Sequence, residues 1–142
     1  MENLNLNVKP KLEVKPILIK DIKYDDKMFV PIRTGSEMLD EFLSHKGGVM
    51  PSTNIIVIGD PGVGKSTICL DFMCEIQLFD QTKRVGFLSG EMSKIDMYEY
   101  CERYPKFKLL PSIFFEDYLE FNPQEVVENF LDEGWDVVCF DS

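Results

Sequence analysis

Apolar and polar residues change rhythm several times along this chain, and each change marks an element. The first 31 residues alternate lysines with apolar residues and are interrupted by Pro10, Pro16 and Pro31. They read as an extended arm in which "EVKPILIKDI" is able to hold one short edge strand. From Gly35 the rhythm is helical. Met38, Leu39, Phe42 and Leu43 fall on one stripe, with Ser36 in a capping position. "HKGGVMPSTN" is a turn, and "NIIVIG" is a short β-branched run of buried-strand type. A helical pattern follows Lys65, with Cys69, Phe72, Met73 and Ile76 on one face. "RVGFLSG" reads as a second strand, and Ser93 can cap a helix carrying Ile95, Tyr98 and Cys101. "SIFFE" and "WDVVCFDS" read as the third and fourth strands. Between those two, Asn122 supplies a cap, Pro123 a first turn and Glu125 the third position. Val126, Val127, Phe130 and Leu131 form the stripe, and Gly134 the stop. Strands alternating with helices predict an α/β fold over residues 32–142, a mostly parallel sheet with flanking helices.

Composition narrows the class. A chain of 142 residues holds one domain's worth of sequence, and 44% apolar with 28% charged residues is ordinary for a globular protein. No apolar run approaches the roughly 18 residues of a membrane span, and "MENLNLNVKPKLEVKP" has no apolar core of a secretory signal, so no membrane partner is expected. Cys69, Cys74, Cys101 and Cys139 sit inside apolar patterns. With the single histidine, His45, they make no common zinc set, and they read as reduced, buried thiols of a cytoplasmic protein. The net charge is −10. Residues 1–50 balance 8 acidic against 8 basic, whereas residues 91–142 hold 13 acidic against 4 basic. An acidic surface repels phosphate backbones, so the charge gives no sign of nucleic-acid binding and reads as a solvated face.

One stretch carries specific chemistry. Gly59-Asp60-Pro61-Gly62-Val63-Gly64-Lys65-Ser66 matches G-x-x-x-x-G-K-[ST] between a strand pattern and a helix pattern. Phosphate oxygens need many donors on a concave surface. Successive backbone amides supply them only where the chain wraps tightly, which requires glycine. The following helix then aims its free amides and positive dipole end at the phosphates. Lys65 is expected to reach the β- and γ-phosphates of ATP and Ser66 to offer its hydroxyl to Mg²⁺, with Thr67 a further phosphate contact. A glycine turn with an incidental lysine is the plain alternative; with Gly near ~7% of residues, the fixed positions coincide by chance in about one such chain in a few hundred.

Two carboxylates end strand patterns. Asp141 closes "VVCFD" at the sheet edge where open α/β sheets bind ligands, and it can hold Mg²⁺ beside Ser66. Its plain alternative is a loop-start aspartate. Glu91 closes "GFLSGE" and could orient the attacking water; equally, it could serve as a helix-entry glutamate near Ser93.

Together, "RTGSEMLDEFLSHKGGVMPSTNIIVIGDPGVGKST", "VGFLSGEMS" and "DVVCFDS" resemble the RecA-like ATPase core, closest to RadA-type repair ATPases and DnaB-type replicative helicases. Thr34, Gly35, Leu39, Asp40 and Leu43 fit the lead-in of the first group, and the likeness covers residues 32–142. It implies a RecA-like P-loop fold and ATP hydrolysis, with Lys65 and Ser66 on the phosphate and magnesium positions. It also puts Glu91 on the catalytic glutamate and Asp141 on the Walker B aspartate. There are departures. The RadA-type zinc module is absent. Ser44, His45 and Lys46 precede Gly47-Gly48 where a third glycine is usual. Tyr100 stands where an adenine-side arginine is common, with Tyr98 near, and packing is the expected role for both rings. In the family the chain continues past Walker B through a sensor strand, DNA-contacting loops and an arginine finger. The sequence therefore reads as the N-terminal part of such a domain, truncated after the Walker B strand, with nucleotide binding and very slow hydrolysis. DNA contact and a homo-oligomeric ring or filament belong to the complete protein. Without the sensor strand, the sheet is expected either to have a gap between "NIIVIG" and "DVVCFD" or to pair them directly, leaving a marginal domain with an exposed edge. The alternatives are a P-loop kinase of a small molecule, though no arginine-rich lid appears, and a non-enzymatic nucleotide-dependent interaction module.

Overall fold

The computed structural model describes residues 10–142; the first nine residues of the arm lie outside them. The fold grows outward from β1 (Val85–Ser89), whose five residues are all buried. β2 (Ser112–Phe114) and β3 (Val137–Asp141) pair with it in parallel, in the order β2-β1-β3. Phe87 lies opposite Ser112 on one side and Cys139 on the other. Ser89 lies opposite Phe114 and Asp141. Parallel strands need crossovers, and these are helical. α3 (Lys94–Arg103) links β1 to β2, and α4 (Pro123–Asp132) links β2 to β3. Two helices precede β1: α1 (Glu37–Leu43) and α2 (Lys65–Phe79). The described residues are thus an α/β fold, a small parallel sheet with helices around it, compatible with a P-loop protein.

The core is the seam between α2 and β1. Leu70, Met73, Cys74 and Ile76 of α2 meet Val85 and Phe87 of β1, with Cys101, Phe107 and Leu110 closing the far side. The buried face of α3 is not the one the sequence suggests. Ile95 and Tyr98 are exposed, while Cys101 is buried and Met97 and Tyr100 pack on the core. Arg103 lies over the Tyr100 ring, 5.0 Å from its centroid. The α3 cap does follow the sequence: Ser93 and Asp96 form a reciprocal capping box.

The main correction concerns "NIIVIG", expected to be a strand. Among the described residues nothing pairs with it, and Ile55, Ile56, Val57 and Ile58 are all exposed, Ile58 by 88%. β-branching makes a segment competent for a sheet, but only a neighbour at hydrogen-bonding distance makes it a strand. Here a cleft of about 570 Å³ separates the segment from β3. Ile55, Ile56 and Val57 form one wall, and residues from Val137 to Asp141 the other. Of the two arrangements expected, the gap is the one found. In the described part of the arm the chain makes 3-10 turns at Ile19–Asp21 and Asp26–Phe29. Residues 13–22, read as able to hold an edge strand, contain none.

The lead-in to α1 is held by a buried carboxylate. Asp40 Oδ1 accepts from the Thr34 backbone N–H and from the Thr34 hydroxyl, both at 2.8 Å. Thr34 Oγ1 in turn accepts from the Ser36 N–H at 3.1 Å, and the Asp40 carbonyl accepts from Gly48 N at 2.8 Å. An antiparallel bridge between Ile32 and Val49 completes this clasp. Because Asp40 takes the inward position, the predicted apolar stripe of α1 is only half used. Leu43 packs on the core, but Met38 and Phe42 are exposed.

The opposite end of the sheet closes on Arg84. Its guanidinium donates to the carbonyls of Glu133 and, at 2.8 Å, Gly134, and lies 4.7 Å over the Trp135 ring. Trp135 packs against Phe130 with ring centroids 4.9 Å apart. Gly86 makes room for both rings, since a Cβ there would lie 2.7 Å from Phe130 Cζ. Replacing Arg84 with alanine removes the fork and the ring contact together. We expect a loss of about 1–2 kcal/mol in urea unfolding, from carbonyl bonds and a cation–π contact of ordinary strength. A loss of similar size is expected for Arg84→Lys, which keeps the charge but not the planar fork.

Candidate phosphate-binding site

The loop from Gly59 to Gly64 runs from the unpaired segment into α2. Gly62 and Gly64 hold φ of 79° and 96°, the left-handed region that a side chain disfavours. Gly59 is constrained differently: a Cβ there would lie 2.8 Å from Val63 Cγ2. Asp60, Pro61 and Val63 form the exposed rim. Gly64 begins α2 with no side-chain cap, and the first amide of the helix to find a carbonyl is Ile68 N, on Gly64 O at 3.0 Å. The N–H groups of Lys65, Ser66 and Thr67 precede that bond, at the positive end of a helix of 15 residues. Such an end suits an anion.

Lys65 is folded back on its own loop. Its Nζ donates to Gly59 O at 2.7 Å and to Asp60 O at 2.9 Å. The ammonium therefore already sits over the concave side of the loop, held by two carbonyls that a phosphate can displace.

Ser66 and Asp141 are 75 residues apart in sequence, and Ser66 Oγ donates to Asp141 Oδ1 at 2.9 Å. The other carboxylate oxygen, Oδ2, is buried with no hydrogen-bond partner. An ionised oxygen left so is costly, and a cation or its water would satisfy it. Among the described residues no group of three or more His, Cys, Asp or Glu side chains could hold a metal ion. Mg²⁺ at a phosphate site does not require one: it is bound by one or two hard protein oxygens together with phosphates and waters. The Ser66 hydroxyl and the Asp141 carboxylate fit that donor set.

Glu91 stands at the bend just after β1, at the same sheet edge as Asp141, and is exposed. It makes no hydrogen bond among the described residues. Its placement comes from Ser89, which sequence reasoning passed over. Ser89 is 1% exposed, and its hydroxyl both accepts from Met92 N and donates to Met92 O, each at 3.0 Å. That small ring, with Gly90 N bonded to Asp141 O at 2.8 Å, fixes the bend beside β3.

The cysteines also depart from expectation. All four are free thiols, but only Cys74 and Cys101 are buried in the core. Burial pushes the Cys74 thiol up to about 11. Cys69 and Cys139 are half-buried and lie across the α2–β3 contact from each other, lining the same cleft. The Cys139 thiol draws Cys69 down to about 7, against burial and the charge of Asp141. Cys139 is pushed up by the neighbouring Cys69 thiol, and burial adds to this. No sequence pattern joins these two positions.

No family model matches the chain, and no solved structure matches it significantly. It is similar to curated proteins named DNA repair protein RadA. With that of Campylobacter jejuni it is 32% identical over 108 residues, covering 73% of this chain and 23% of that protein. With that of Listeria monocytogenes it is 45% identical over 47 residues, 33% of this chain and 10% of that protein. The RadA protein of Halalkalibacterium halodurans gives the same identity over the same length. The chain thus spans a quarter or less of the length of these relatives. Among the described residues no helix is long and apolar enough to cross a membrane.

Proposed function

We propose that residues 32–142 bind ATP with Mg²⁺ as part of a RecA-like P-loop ATPase that works on DNA in repair, recombination or unwinding. The observation that carries this reading is the Ser66–Asp141 bond at 2.9 Å with a buried, partnerless carboxylate oxygen beside it. It brings the hydroxyl at the start of the phosphate-loop helix to the carboxylate that ends β3. The similarity to DNA repair protein RadA over 108 residues supports the biological setting.

In this reading the amides from Gly62 to Thr67 donate to the phosphate oxygens, and Lys65 leaves the Gly59 and Asp60 carbonyls for them. Ser66 and Asp141 would hold Mg²⁺, which when bound neutralises charge on the β- and γ-phosphates. Glu91, on the same sheet edge, orients the water that attacks. DNA contact and assembly into a ring or filament belong to the whole protein. In this reading the nucleotide-binding domain begins at residue 32, and residues 1–31 are no part of it.

Calorimetric titration of the chain with Mg-ATP tests the reading. Saturable binding is expected, weakened at least about tenfold, or about 1.4 kcal/mol, by Lys65→Ala. A folded chain with no saturable heat, or one indifferent to Lys65→Ala, overturns it. In the whole protein Glu91→Gln should keep binding and lose turnover. Turnover that appears only with an added phosphate acceptor would instead indicate a kinase.

A further inference from the structure

The contact between Ser66 and Asp141 has a second rung below it. On α2, position 69 lies one turn beyond position 66, on the same face. On β3, position 139 lies two residues before 141, also on the same face. Packing that joins Ser66 to Asp141 therefore places Cys69 beside Cys139, between α2 and β3. Both are half-buried and line the cleft beside β3, together with Lys65 and Asp141. Small molecules entering that cleft can reach both sulfurs. The remaining cysteines cannot serve the same way: Cys74 and Cys101 are 3% and 8% exposed within the core.

We propose that Cys69 and Cys139 are a redox pair whose oxidation to a disulfide ties α2 to β3 beneath the phosphate loop and weakens nucleotide binding. The oxidant is a small hydroperoxide. The Cys69 sulfur attacks one peroxide oxygen and the O–O bond breaks, giving a sulfenic acid and, after protonation, water when the oxidant is hydrogen peroxide. The Cys139 sulfur then attacks the Cys69 sulfur. The S–S bond forms, the S–O bond breaks, and hydroxide leaves with the Cys139 proton as a second water. Two thiols lose two electrons and two protons, and the peroxide becomes two waters. A dithiol reverses the bond by exchange.

The cross-link holds the first two turns of α2 at one spacing from β3. It lies one turn from Ser66 and two residues from Asp141. The amides of Lys65, Ser66 and Thr67 and the Ser66–Asp141 pair then cannot re-seat around phosphates and a cation. Positioning errors on the order of 1 Å are costly at such sites. The effect on nucleotide rests on the ATP-binding reading above; formation of the bond does not.

The test treats the chain with substoichiometric hydrogen peroxide, then maps peptides by mass and titrates Mg-ATP. The expected result is a Cys69–Cys139 disulfide formed ahead of any change at Cys74 or Cys101, with a loss of two hydrogens. Mg-ATP should bind at least tenfold more weakly, and dithiothreitol should restore it. Cys139→Ser and Cys69→Ser should each bind Mg-ATP as the parent does and keep that affinity after peroxide. Oxidation that spares this pair, or a disulfide that leaves affinity unchanged, overturns the proposal. If the reduced chain binds no Mg-ATP, the nucleotide reading fails on its own, while the peptide map still reports whether the pair closes.

Discussion

Asp141→Asn should make the nucleotide-free protein more stable and remove its stabilisation by Mg-ATP. The two effects have one cause. Asp141 Oδ2 is buried without a protein partner, so the free protein carries a partly desolvated carboxylate oxygen. Asparagine keeps an acceptor for the Ser66 hydroxyl, which now meets Asp141 Oδ1 at 2.9 Å, and replaces the ionised group by a neutral one. A neutral amide costs less to bury than a carboxylate, so we expect a gain of about 1 kcal/mol, or roughly 3 °C in melting temperature for a domain of this size. The parent protein at one hundred times its dissociation constant should gain about 2.7 kcal/mol from Mg-ATP; the variant should gain little. Thermal unfolding with and without Mg-ATP checks both. A variant that melts lower when free, or still responds fully to Mg-ATP, contradicts the role given to this carboxylate. Opposite signs are the mark of a residue retained for binding at some expense to the fold.

Asp40→Ala should be among the most damaging single changes and should act without regard to nucleotide. Asp40 is 6% exposed and is the acceptor for two buried donors of Thr34. Removing it deletes two bonds to an ionised acceptor and strands both donors, for a combined cost of about 3–5 kcal/mol. Domains are stable by only about 5–15 kcal/mol, so the variant should unfold at much lower urea or fail to fold at growth temperature. Asp40→Asn, which preserves one acceptor oxygen, should lose roughly half as much. In native-state hydrogen exchange, the amides of Ile32 and Val49, bonded to each other's carbonyls at 2.8 Å, should exchange faster in Asp40→Asn. If Asp40→Ala unfolds like the parent, the clasp is not what holds the lead-in.

Which parts of this could be read beforehand follows from how local their causes are. α4 was legible in its cap, proline and glycine stop because these all lie within its own sequence, and its stripe was met by buried Val126 and Phe130 but not by exposed Leu131. Asn122 accepts from Gln124 N as a cap should, and Gly134 takes φ of 78°. β1 was legible as a buried apolar run of the right length; β3 was legible as a strand, but none of its residues is fully buried and Phe140 is 50% exposed. "NIIVIG" has the same local character and became no strand, because pairing is decided by a neighbour that no local pattern reveals. The stripe of α1 misled for a related reason: a short helix was oriented by one polar side chain facing in, and apolar spacing cannot express that. At the candidate site the loop glycines and Lys65 are sequence-evident. The contact of Ser66 with Asp141 could be argued only from the rule that parallel sheets gather ligand groups at one edge. Ser89 and the Cys69–Cys139 contact had no comparable signal, since each depends on how α2, β1 and β3 are laid side by side.

The segment beside the cleft also bears on handling. Asn54 to Gly59 is an uncharged, proline-free hexapeptide of four β-branched side chains, with Ile56 81% and Ile58 88% exposed. Segments of this kind stack into dry cross-β ladders when many copies meet. Pro51 on one side and Asp60-Pro61 on the other act as gatekeepers that limit how far such a ladder can spread. Concentrated samples should accordingly nucleate fibrils from this hexapeptide before any other part of the chain, and a single lysine at position 56 should suppress them.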